Sequence, residues 1–325
     1  MKLILSTGNI MEGGSSIRRD PTQKSNAELV ASFRNNFAAH SLQTDGMVNG
    51  NGTAKTHRSN YKTWTHMADD GRMELEVPKL SFDRSGLQEE REQYDITLKL
   101  FYLSGAPIEK RAVQTREAVN LVLKELHMPS LNLLIISFPG IYFDEEEDCP
   151  DKISTRGPVE AEPEPLESQI ETWKVLEQLH KEGIVRKLGI AEFGHDRLQT
   201  FLEKTTLRPS VDQINLRDCC SVPKSLLKLA KSQHVELLVH NDCSNVLPRG
   251  TVRELLGPGP DGAGVLAETT KPEEKQKTLH GEAHAPEEGL KGEVQPLWVV
   301  KYTAVVKNRG VVEDKGYFAV AELTE

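Results

Sequence analysis

The sequence predicts an α/β protein, and the number of strand–helix units favours a single (β/α)8 barrel domain over residues 1–325. Apolar strands alternate with amphipathic helices along most of the chain. The segment LNLLIISF at 131–138 is almost continuously apolar, which is typical of a parallel strand covered on both faces. No GxGxxG motif follows the first strand, and this disfavours the alternative of a doubly wound, dinucleotide-binding sheet.

The first half of the chain contains three predicted strands and two predicted helices. Leu29, Val30, Phe33 and Phe37 repeat at helical spacing and indicate a helix after the first strand. The remaining elements follow from short apolar runs for strands and from longer amphipathic runs for helices. The strands are predicted at 3–7, 94–103 and 131–138, and the second helix at 109–128.

The second half continues the alternation. A helix over about 166–182 is indicated by apolar residues at near-helical spacing that include Trp173 and Leu176, and Gly183 is placed to end it. Further strands are predicted at 187–193, 211–216 and 235–240, further helices near 198–202, 225–233 and 296–303, and a closing hairpin through 310–323.

Three segments are predicted to be flexible insertions into the barrel. Residues 43–92 include a stretch poor in apolar residues and rich in Gly and Asn, 144–165 are acidic and contain prolines, and 257–293 are rich in Gly, Pro and charge. Such compositions bury too little apolar surface to offset the entropy of ordering.

The distribution of charge excludes some classes of function. The net charge is −9, and residues 144–171 alone contain eleven acidic and two basic residues, so the rest of the chain is close to neutral. This argues against a broad basic surface for nucleic acids. No apolar run approaches the roughly 18 residues of a membrane span, and the apolar start is too short for a signal peptide. Four cysteines are few for a secreted scaffold, so we expect reduced thiols and a cytoplasmic protein.

Polar side chains follow several predicted strands at their carboxyl ends, where the functional residues of barrels gather. These residues are Lys99, Ser137, Glu192, Gln213, Asn215, His240, Asn241 and Asp242. There is no His/Cys cluster with zinc spacing, no GxSxG and no phosphate-binding Walker motif, so no metal site is predicted.

The segment ETWKVLEQLHKEGIVRKLGIAEFG at 171–194 resembles the central part of the aldo-keto reductases, and LNLLIISFP, VDQINL and VELLVH resemble strand motifs of that family. The resemblance implies hydride transfer from a nicotinamide cofactor with an Asp–Tyr–Lys–His tetrad. Lys99 matches the lysine, whereas Ser137 stands at the histidine position. Asp45, Tyr61 and Asp69 lie in the region of the missing Asp and Tyr, but none of them matches the family's motif.

An incomplete tetrad implies that reductase chemistry is lost. Carbonyl reduction requires a proton donor at the substrate oxygen, and a lysine without its tyrosine supplies none. A serine hydroxyl does not replace an imidazole near neutral pH.

The resemblance leaves at most residual NADPH binding. Gln213 matches the glutamine that holds the carboxamide, and Lys307 and Arg309 lie roughly where the family binds the 2′-phosphate. Bases that face solvent are the ordinary explanation for Lys307 and Arg309.

A closer resemblance is to the regulatory (modifier) subunits of glutamate–cysteine ligase, an aldo-keto-reductase-like group. It is carried by STGNI (6–10), QINLRDCC (213–220), LLVHND (237–242) and PLWVVKYTAVVKNRGVVEDKGY (296–317). It implies a heterodimer with the catalytic subunit, a lower KM for glutamate, and relief of feedback inhibition by glutathione. Such effects correspond to coupling free energies of about 1–3 kcal/mol.

The cysteines are candidates for contact with a partner. Cys219 and Cys220 are neighbours with Cα atoms about 3.8 Å apart, too close for an ordinary disulfide between them. The resemblance suggests that they make a redox-linked contact with the catalytic subunit, and Cys243 is a third candidate. Two reduced thiols, one of them in the core, are the alternative.

Two other functions remain open at this point. One is an NADPH-dependent reductase in which Tyr61 or Tyr142 supplies the proton, and the other is an adaptor that senses NADPH without turnover.

Overall fold

The computed structural model describes residues 1–12, 26–48, 54–68, 71, 73–83, 86–143, 162–216, 221–243, 245–268 and 289–324. It contains six α-helices and twelve β-strands in these ranges. The helices are α1 (Ala27–Ser41), α2 (Arg111–Leu126), α3 (Leu166–Lys181), α4 (His195–Lys204), α5 (Lys224–Gln233) and α6 (Arg249–Leu256). The first six strands are β1 (Lys2–Ser6), β2 (Leu42–Val48), β3 (Ala54–Arg58), β4 (His66–Met67), β5 (Glu74–Val77) and β6 (Tyr94–Tyr102). The others are β7 (Leu131–Ser137), β8 (Val185–Ala191), β9 (Val211–Ile214), β10 (Glu236–Val239), β11 (Glu293–Val306) and β12 (Val311–Thr324).

Ten of these strands form one mixed sheet, and β2 and β3 pair separately. The order of the sheet is β10-β9-β8-β7-β6-β11-β12-β1-β5-β4. Strands β6 to β10 pair in parallel, each with the next along the chain, and α2 to α5 connect them. The predicted α/β class and its repeating strand–helix units are therefore confirmed.

The two faces of the sheet pack against different helices. Alternate residues of β6 to β9, such as Leu98, Leu134 and Ile190, join the main apolar core with residues of α2 to α5. The opposite face of β1, β5 and β12 packs against α1 and α6 in a second apolar cluster. The inner face of β7 to β9 contributes a third, small cluster of Ile135, Ala191 and Val211.

Helix α3 shows how local sequence sets an element. Trp173, Leu176 and Leu179 are buried on one face, and the indole N–H of Trp173 donates to the carbonyl of Leu207 at 2.7 Å. Gly183 ends the helix with a φ of 78°, a left-handed conformation that glycine adopts without steric cost. The predicted helix and its glycine terminator are confirmed.

The apolar segment at 296–303 is not the helix that we predicted. It belongs to β11, which pairs antiparallel with β6 on one side and with β12 on the other. Trp298, Val300 and Tyr302 face the main core, whereas Val299 faces the second cluster. The side chains thus alternate with a period of two, and two neighbouring strands satisfy the backbone groups. The predicted closing hairpin is present as β11–β12.

Two of the predicted insertions also need correction at their boundaries. In the range 43–92, β5 pairs in parallel with β1, and Val77 is fully buried. In the range 257–293, Val265 and Leu266 are fully buried in the second cluster. These parts belong to the packed structure because their apolar side chains fill its core. Residues 144–161 lie outside the described ranges.

Candidate functional site

A cluster of charged side chains lies at the carboxyl ends of β8, β9 and β10, and its centre is Asp242. Asp242 Oδ2 lies 3.2 Å from Lys99 Nζ, and Asp242 Oδ1 lies 3.1 Å from Lys301 Nζ. Lys99 and Lys301 are direct neighbours in the antiparallel pair β6–β11, so their ammonium groups repel each other. One carboxylate between them offsets this repulsion.

Burial and charge act in opposite directions on these groups. Lys99 is 4% exposed, and burial lowers the pKa of its ammonium group although Asp242 partly counters the effect. Burial alone would raise the pKa of Asp242, but the ammonium groups of Lys99 and Lys301 hold that pKa well below its usual range. Asp242 is therefore ionised at neutral pH. The ring of Phe101 lies beneath Lys99, with its centroid 5.0 Å from Nζ.

His240 connects Asp242 to a second carboxylate. The backbone N–H of Asp242 donates to His240 Nδ1 at 3.1 Å, so Nδ1 accepts and carries no proton. The proton then sits on Nε2, which lies 3.2 Å from the carbonyl oxygen of Gln213 and 2.5 Å from Glu192 Oε1. The imidazole of His240 thus lies between the carboxylates of Glu192 and Asp242.

Glu192 is held by the backbone on both sides. Its φ is 69°, an uncommon conformation for a residue with a Cβ, and its Oε2 accepts from the N–H of Phe143 at 3.0 Å. Its own N–H donates to the carbonyl of Gln213 at 2.9 Å. Asn215 Nδ2 donates to the carbonyl of Asp242 at 3.1 Å. The loops after three strands are therefore cross-linked at this end of the sheet.

A further charged group extends the cluster along the same sheet. Glu28 Oε1 on α1 lies 2.6 Å from Lys315 Nζ and accepts from Tyr317 Oη at 2.6 Å. Burial alone would raise the pKa of Glu28, but these hydrogen bonds and the charge of Lys315 hold it below the usual value. The carboxylates of Glu192, Asp242 and Glu28 thus balance the ammonium groups of Lys99, Lys301 and Lys315.

The structure brings most of the predicted strand-end residues together. Ser137, at the tetrad histidine position, is 2% exposed. Gln213 contributes its carbonyl to His240, and its side-chain Oε1 is buried with no hydrogen-bond partner among the described residues. Lys301 was missed because the apolar run around it gave no sign of a strand beside Lys99. In the run WVVKYT, Lys301 lies two residues before Thr303. When this segment is read as a strand with a period of two, both side chains lie on the same face of the sheet, and this could have identified Lys301.

Lys307 and Arg309 lie at the other end of the sheet from Gln213. They stand in the turn between β11 and β12, next to Tyr94, the first residue of the parallel strand β6. Lys307 Nζ donates to the carbonyl of Glu92 at 2.8 Å, and Arg309 forms an ion pair with Glu89. The structure thus does not join them with Gln213 in one site.

The tyrosines proposed as proton donors differ in their surroundings. Tyr61 is buried in the second apolar cluster, with the ammonium group of Lys62 6.0 Å from its ring centroid. Tyr142 is partly buried and immediately precedes Phe143, whose N–H binds Glu192. Asp69 lies outside the described residues, and so do the side-chain surroundings of Asp45.

The structure describes one of the three cysteines that were predicted to contact a partner. Cys219 and Cys220 lie outside the described residues. Cys243 is partly buried beside the second apolar cluster, and its Sγ lies 3.4 Å from the carbonyl of Asn245.

Most of the groups that the resemblance assigns to a nicotinamide dinucleotide are engaged by other residues or lie apart from one another. Glu192 and His240, which flank Gln213 at this end of the sheet, lie against each other, with 2.5 Å between Glu192 Oε1 and His240 Nε2. Lys99 is neutralised by Asp242, and the bases at 307 and 309 lie at the far end of the sheet. Gln213 Oε1 is the group that still offers an acceptor. The arrangement is a compact network of ion pairs and hydrogen bonds among the described residues.

Among the described residues, no helix is long and apolar enough to cross a bilayer.

Comparisons with known proteins identify several proteins that are similar to this chain. It is 27% identical to a Schizosaccharomyces pombe protein named provisionally as a glutamate–cysteine ligase regulatory subunit, over 74% of this chain and 75% of that one. It is 26% identical to the human glutamate–cysteine ligase regulatory subunit, over 72% of this chain and 68% of that one. The aldose reductase structure from Schistosoma japonicum aligns with 27% identity and a TM-score of 0.34, and 51% of this chain covers 52% of that chain.

The match to a family model covers more than half of the sequence. The aldo/keto reductase family model matches residues 79–254, which include β6 to β10, α2 to α5 and, of the charged network, Lys99, Glu192 and Asp242. The predicted (β/α)8 fold is that of this family, and the described strands of this chain form a ten-stranded sheet with the antiparallel hairpin β11–β12 between β6 and β1. The chain belongs to the aldo/keto reductase family.

Proposed function

We propose that this protein is the non-catalytic regulatory subunit of a glutamate–cysteine ligase and acts in glutathione synthesis by binding the catalytic subunit. The observation that carries the proposal is the state of Lys99. Its ammonium group is buried and neutralised by Asp242, with Ser137 at the position of the tetrad histidine. A fold of the aldo/keto reductase family is thereby kept without the groups that deliver a proton.

The relatives support the same function. The human and rat glutamate–cysteine ligase regulatory subunits are 26% and 25% identical, each over 72% of this chain. The similarity to a D-xylose reductase of Scheffersomyces stipitis is confined to 38% of this chain, although the identity there is 29%. Likeness over the longer range, including segments outside the reductase motifs, favours the regulatory function.

We infer that binding lowers the KM of the catalytic subunit for glutamate and relieves its inhibition by glutathione. Both effects require contacts that differ between two states of the catalytic subunit, because a ligand shifts an equilibrium only by its differential affinity. A coupling free energy of about 1–3 kcal/mol corresponds to a 5- to 150-fold change. No chemical step on this chain is needed.

The test is reconstitution with the catalytic subunit of the same organism. Co-expression with one affinity tag should yield a complex of both chains, and the complex should be more active than the catalytic subunit alone at limiting glutamate. The isolated protein should oxidise NADPH no faster than buffer in the presence of a panel of aldehydes. Unchanged glutamate kinetics in the complex would refute the proposal, and so would carbonyl reduction that Lys99→Met abolishes.

The cysteines enter the proposal as candidate contacts with the catalytic subunit. Cys219, Cys220 and Cys243 would form a redox-sensitive link, and Cys→Ser variants at these positions test it. A disulfide-linked heterodimer on a non-reducing gel that disappears in one variant supports the link. An identical complex in all variants, with and without reductant, means that the thiols are not used.

A second function is favoured by one observation, the unpartnered Oε1 of Gln213 in the described part of the chain. An amide such as a carboxamide could donate to it, and the protein would then bind NADPH without turnover as an adaptor. Quenching of intrinsic fluorescence on titration with NADPH, lost in Gln213→Leu, supports this function. A flat titration up to millimolar NADPH rejects it. Cell fractionation checks the proposed cytoplasmic location.

A further inference from the structure

Strand β10 is the last strand at one end of the sheet, and its outer edge has no partner among the described strands. The N–H of Glu236 donates to the carbonyl of Ser210 at 2.9 Å, and the N–H of His240 to that of Ile214 at 3.1 Å. The backbone groups of every second residue, counted from Glu236, therefore point towards β9. Because backbone groups alternate along a strand, the N–H and C=O groups of Leu237 and Val239 point away from the sheet.

This edge is longer and more apolar than the edge at the other end of the sheet. Natural edge strands are short, or they carry lysine, proline or a bulge. The strand at the other end, β4, has only the two residues His66 and Met67. In contrast, β10 continues from Glu236 through Leu237, Leu238 and Val239, and Val239 is 60% exposed.

The position of the hairpin β11–β12 explains why no described strand pairs with this edge. Strands β11 and β12 contain the last residues of the sheet, and they lie between β6 and β1. They therefore do not pair with β10, which is five strands away from β11 in the sheet order. In the described part of the chain, no later strand takes the place beside β10.

Helix α5 adds an apolar and basic surface beside this edge. Its sequence KSLLKLAKSQ contains Lys224, Lys228 and Lys231 and no acidic residue, and Leu227 is 48% exposed. Leu237 packs with the core beneath the helices, so Val239, two residues later, lies on that same face. Helix α5 connects the parallel strands β9 and β10 and therefore runs antiparallel to them, so its first turns lie towards the carboxyl end of β10, where Val239 stands.

We propose that the edge of β10, together with the exposed face of α5, is the surface that binds the catalytic subunit. The occupant is an extended segment of that subunit, with apolar side chains for Val239 and Leu227 and carboxylates for the lysines of α5. The segment adds as a further strand, so its backbone pairs with the outward groups of Leu237 and Val239. This inference rests on the proposed regulatory function and names its interface.

The principal test compares two variants at the surface with matched variants elsewhere. Val239→Lys places a charge on the edge, and Lys228→Glu reverses a charge on α5 without touching the core. Their controls are Val113→Lys on α2, where Val113 is 71% exposed, and Lys181→Glu at the exposed end of α3. The affinity for the purified catalytic subunit is measured by calorimetry or surface plasmon resonance, and thermal unfolding verifies that each variant is folded.

We expect Val239→Lys to weaken binding about tenfold or more, as is typical of an interface residue with a large effect. Lys228→Glu should weaken it about three- to tenfold at low salt and less at high salt, because exposed charges are screened. The two controls should stay within about twofold of wild type. Backbone hydrogen exchange should also slow at Leu237 and Val239 in the complex.

The outcomes separate this inference from the function on which it rests. A wild-type protein that does not bind the catalytic subunit overturns both. Binding by wild type that Val239→Lys and Lys228→Glu leave unchanged overturns the surface alone. If the edge instead joins two copies of this chain, Val239→Lys would convert a homodimer to a monomer without weakening the heterodimer, and the proposal would be wrong.

Discussion

Replacing Asp242 by asparagine tests whether this carboxylate neutralises the buried lysines. Asparagine keeps the size of the side chain and removes its charge. Lys99, with a side chain 5% exposed, then loses its ion pair, and Lys301, 27% exposed, can still turn towards water. The damage should therefore fall mainly on Lys99.

The expected cost follows from the burial of the pair. Removing one partner of a fully buried ion pair costs roughly 3–5 kcal/mol, because the other charge is left without compensation. Asp242 is 19% exposed, so we expect a value near the lower limit, about 3 kcal/mol in the free energy of unfolding. For a chain of this length, that corresponds to a fall in Tm of about 4 °C.

Urea unfolding followed by circular dichroism at pH 7.5 measures this loss. Lys99→Met in the Asp242→Asn background removes the stranded ammonium group, and we expect it to restore about 2 kcal/mol. The control is Asp95→Asn, an exposed carboxylate, with an effect below about 0.5 kcal/mol. A loss below that limit for Asp242→Asn, or a double variant less stable than Asp242→Asn, would refute the reasoning.

The pH dependence of the same variant follows from the lowered pKa of Asp242. A carboxyl with a pKa lower in the folded than in the unfolded state stabilises the protein fully above the unfolded value, about 4, and loses this stabilisation as the pH falls. The difference in the free energy of unfolding between wild type and Asp242→Asn should therefore shrink below about pH 4. If this difference stays constant from pH 7 to pH 3, the prediction is wrong.

Three further predictions concern buried groups outside the site. Burial and the charge of Glu125 raise the pKa of Asp314 to about 7, so the free energy of unfolding should fall as the pH rises from about 4 to 7. Asp314→Asn should remove part of this fall and raise the free energy of unfolding by about 1–3 kcal/mol at pH 8. Parallel curves of stability against pH for wild type and variant would contradict this prediction. Arg111→Met should cost about 3 kcal/mol in urea unfolding, because the 1% exposed Arg111 pairs with Glu164, and Glu164→Gln in the same chain should recover part of the loss. Gly316→Ala should lower Tm through a cost of about 1–3 kcal/mol, because an added Cβ would lie 2.5 Å from Tyr302 Oη; an unchanged Tm would show that the hairpin yields there.

The repeating units could be predicted because each depends on local patterns. The apolar run at 131–138 became β7, and the periodic residues from 166 became α3 with its terminator Gly183. Polar residues after β8, β9 and β10 were expected to meet, since parallel strands end at the same edge of a sheet. Glu192, Gln213, His240 and Asp242 do lie together there.

The elements that were missed depend on distant partners. A short apolar run such as 296–303 fits a buried helix or a buried strand, and its pairing with β6 decided between them. Strand β5 is likewise defined by its pairing with β1, more than 70 residues away in the chain. For the same reason, Lys307 and Arg309 could not be placed by resemblance. Their positions follow the hairpin, which joins the sheet between β6 and β1.

By itself, the sequence determined which groups are present: a lysine at position 99, a serine instead of a histidine at 137, and a regular series of strand–helix units. Only the tertiary structure decided that Lys99 is neutralised by Asp242 and that no described strand pairs with the outer edge of β10. The reason is that Coulomb energy and backbone hydrogen bonds depend on distances between atoms. Residues 143 positions apart reach such distances only through the order of the strands in the sheet.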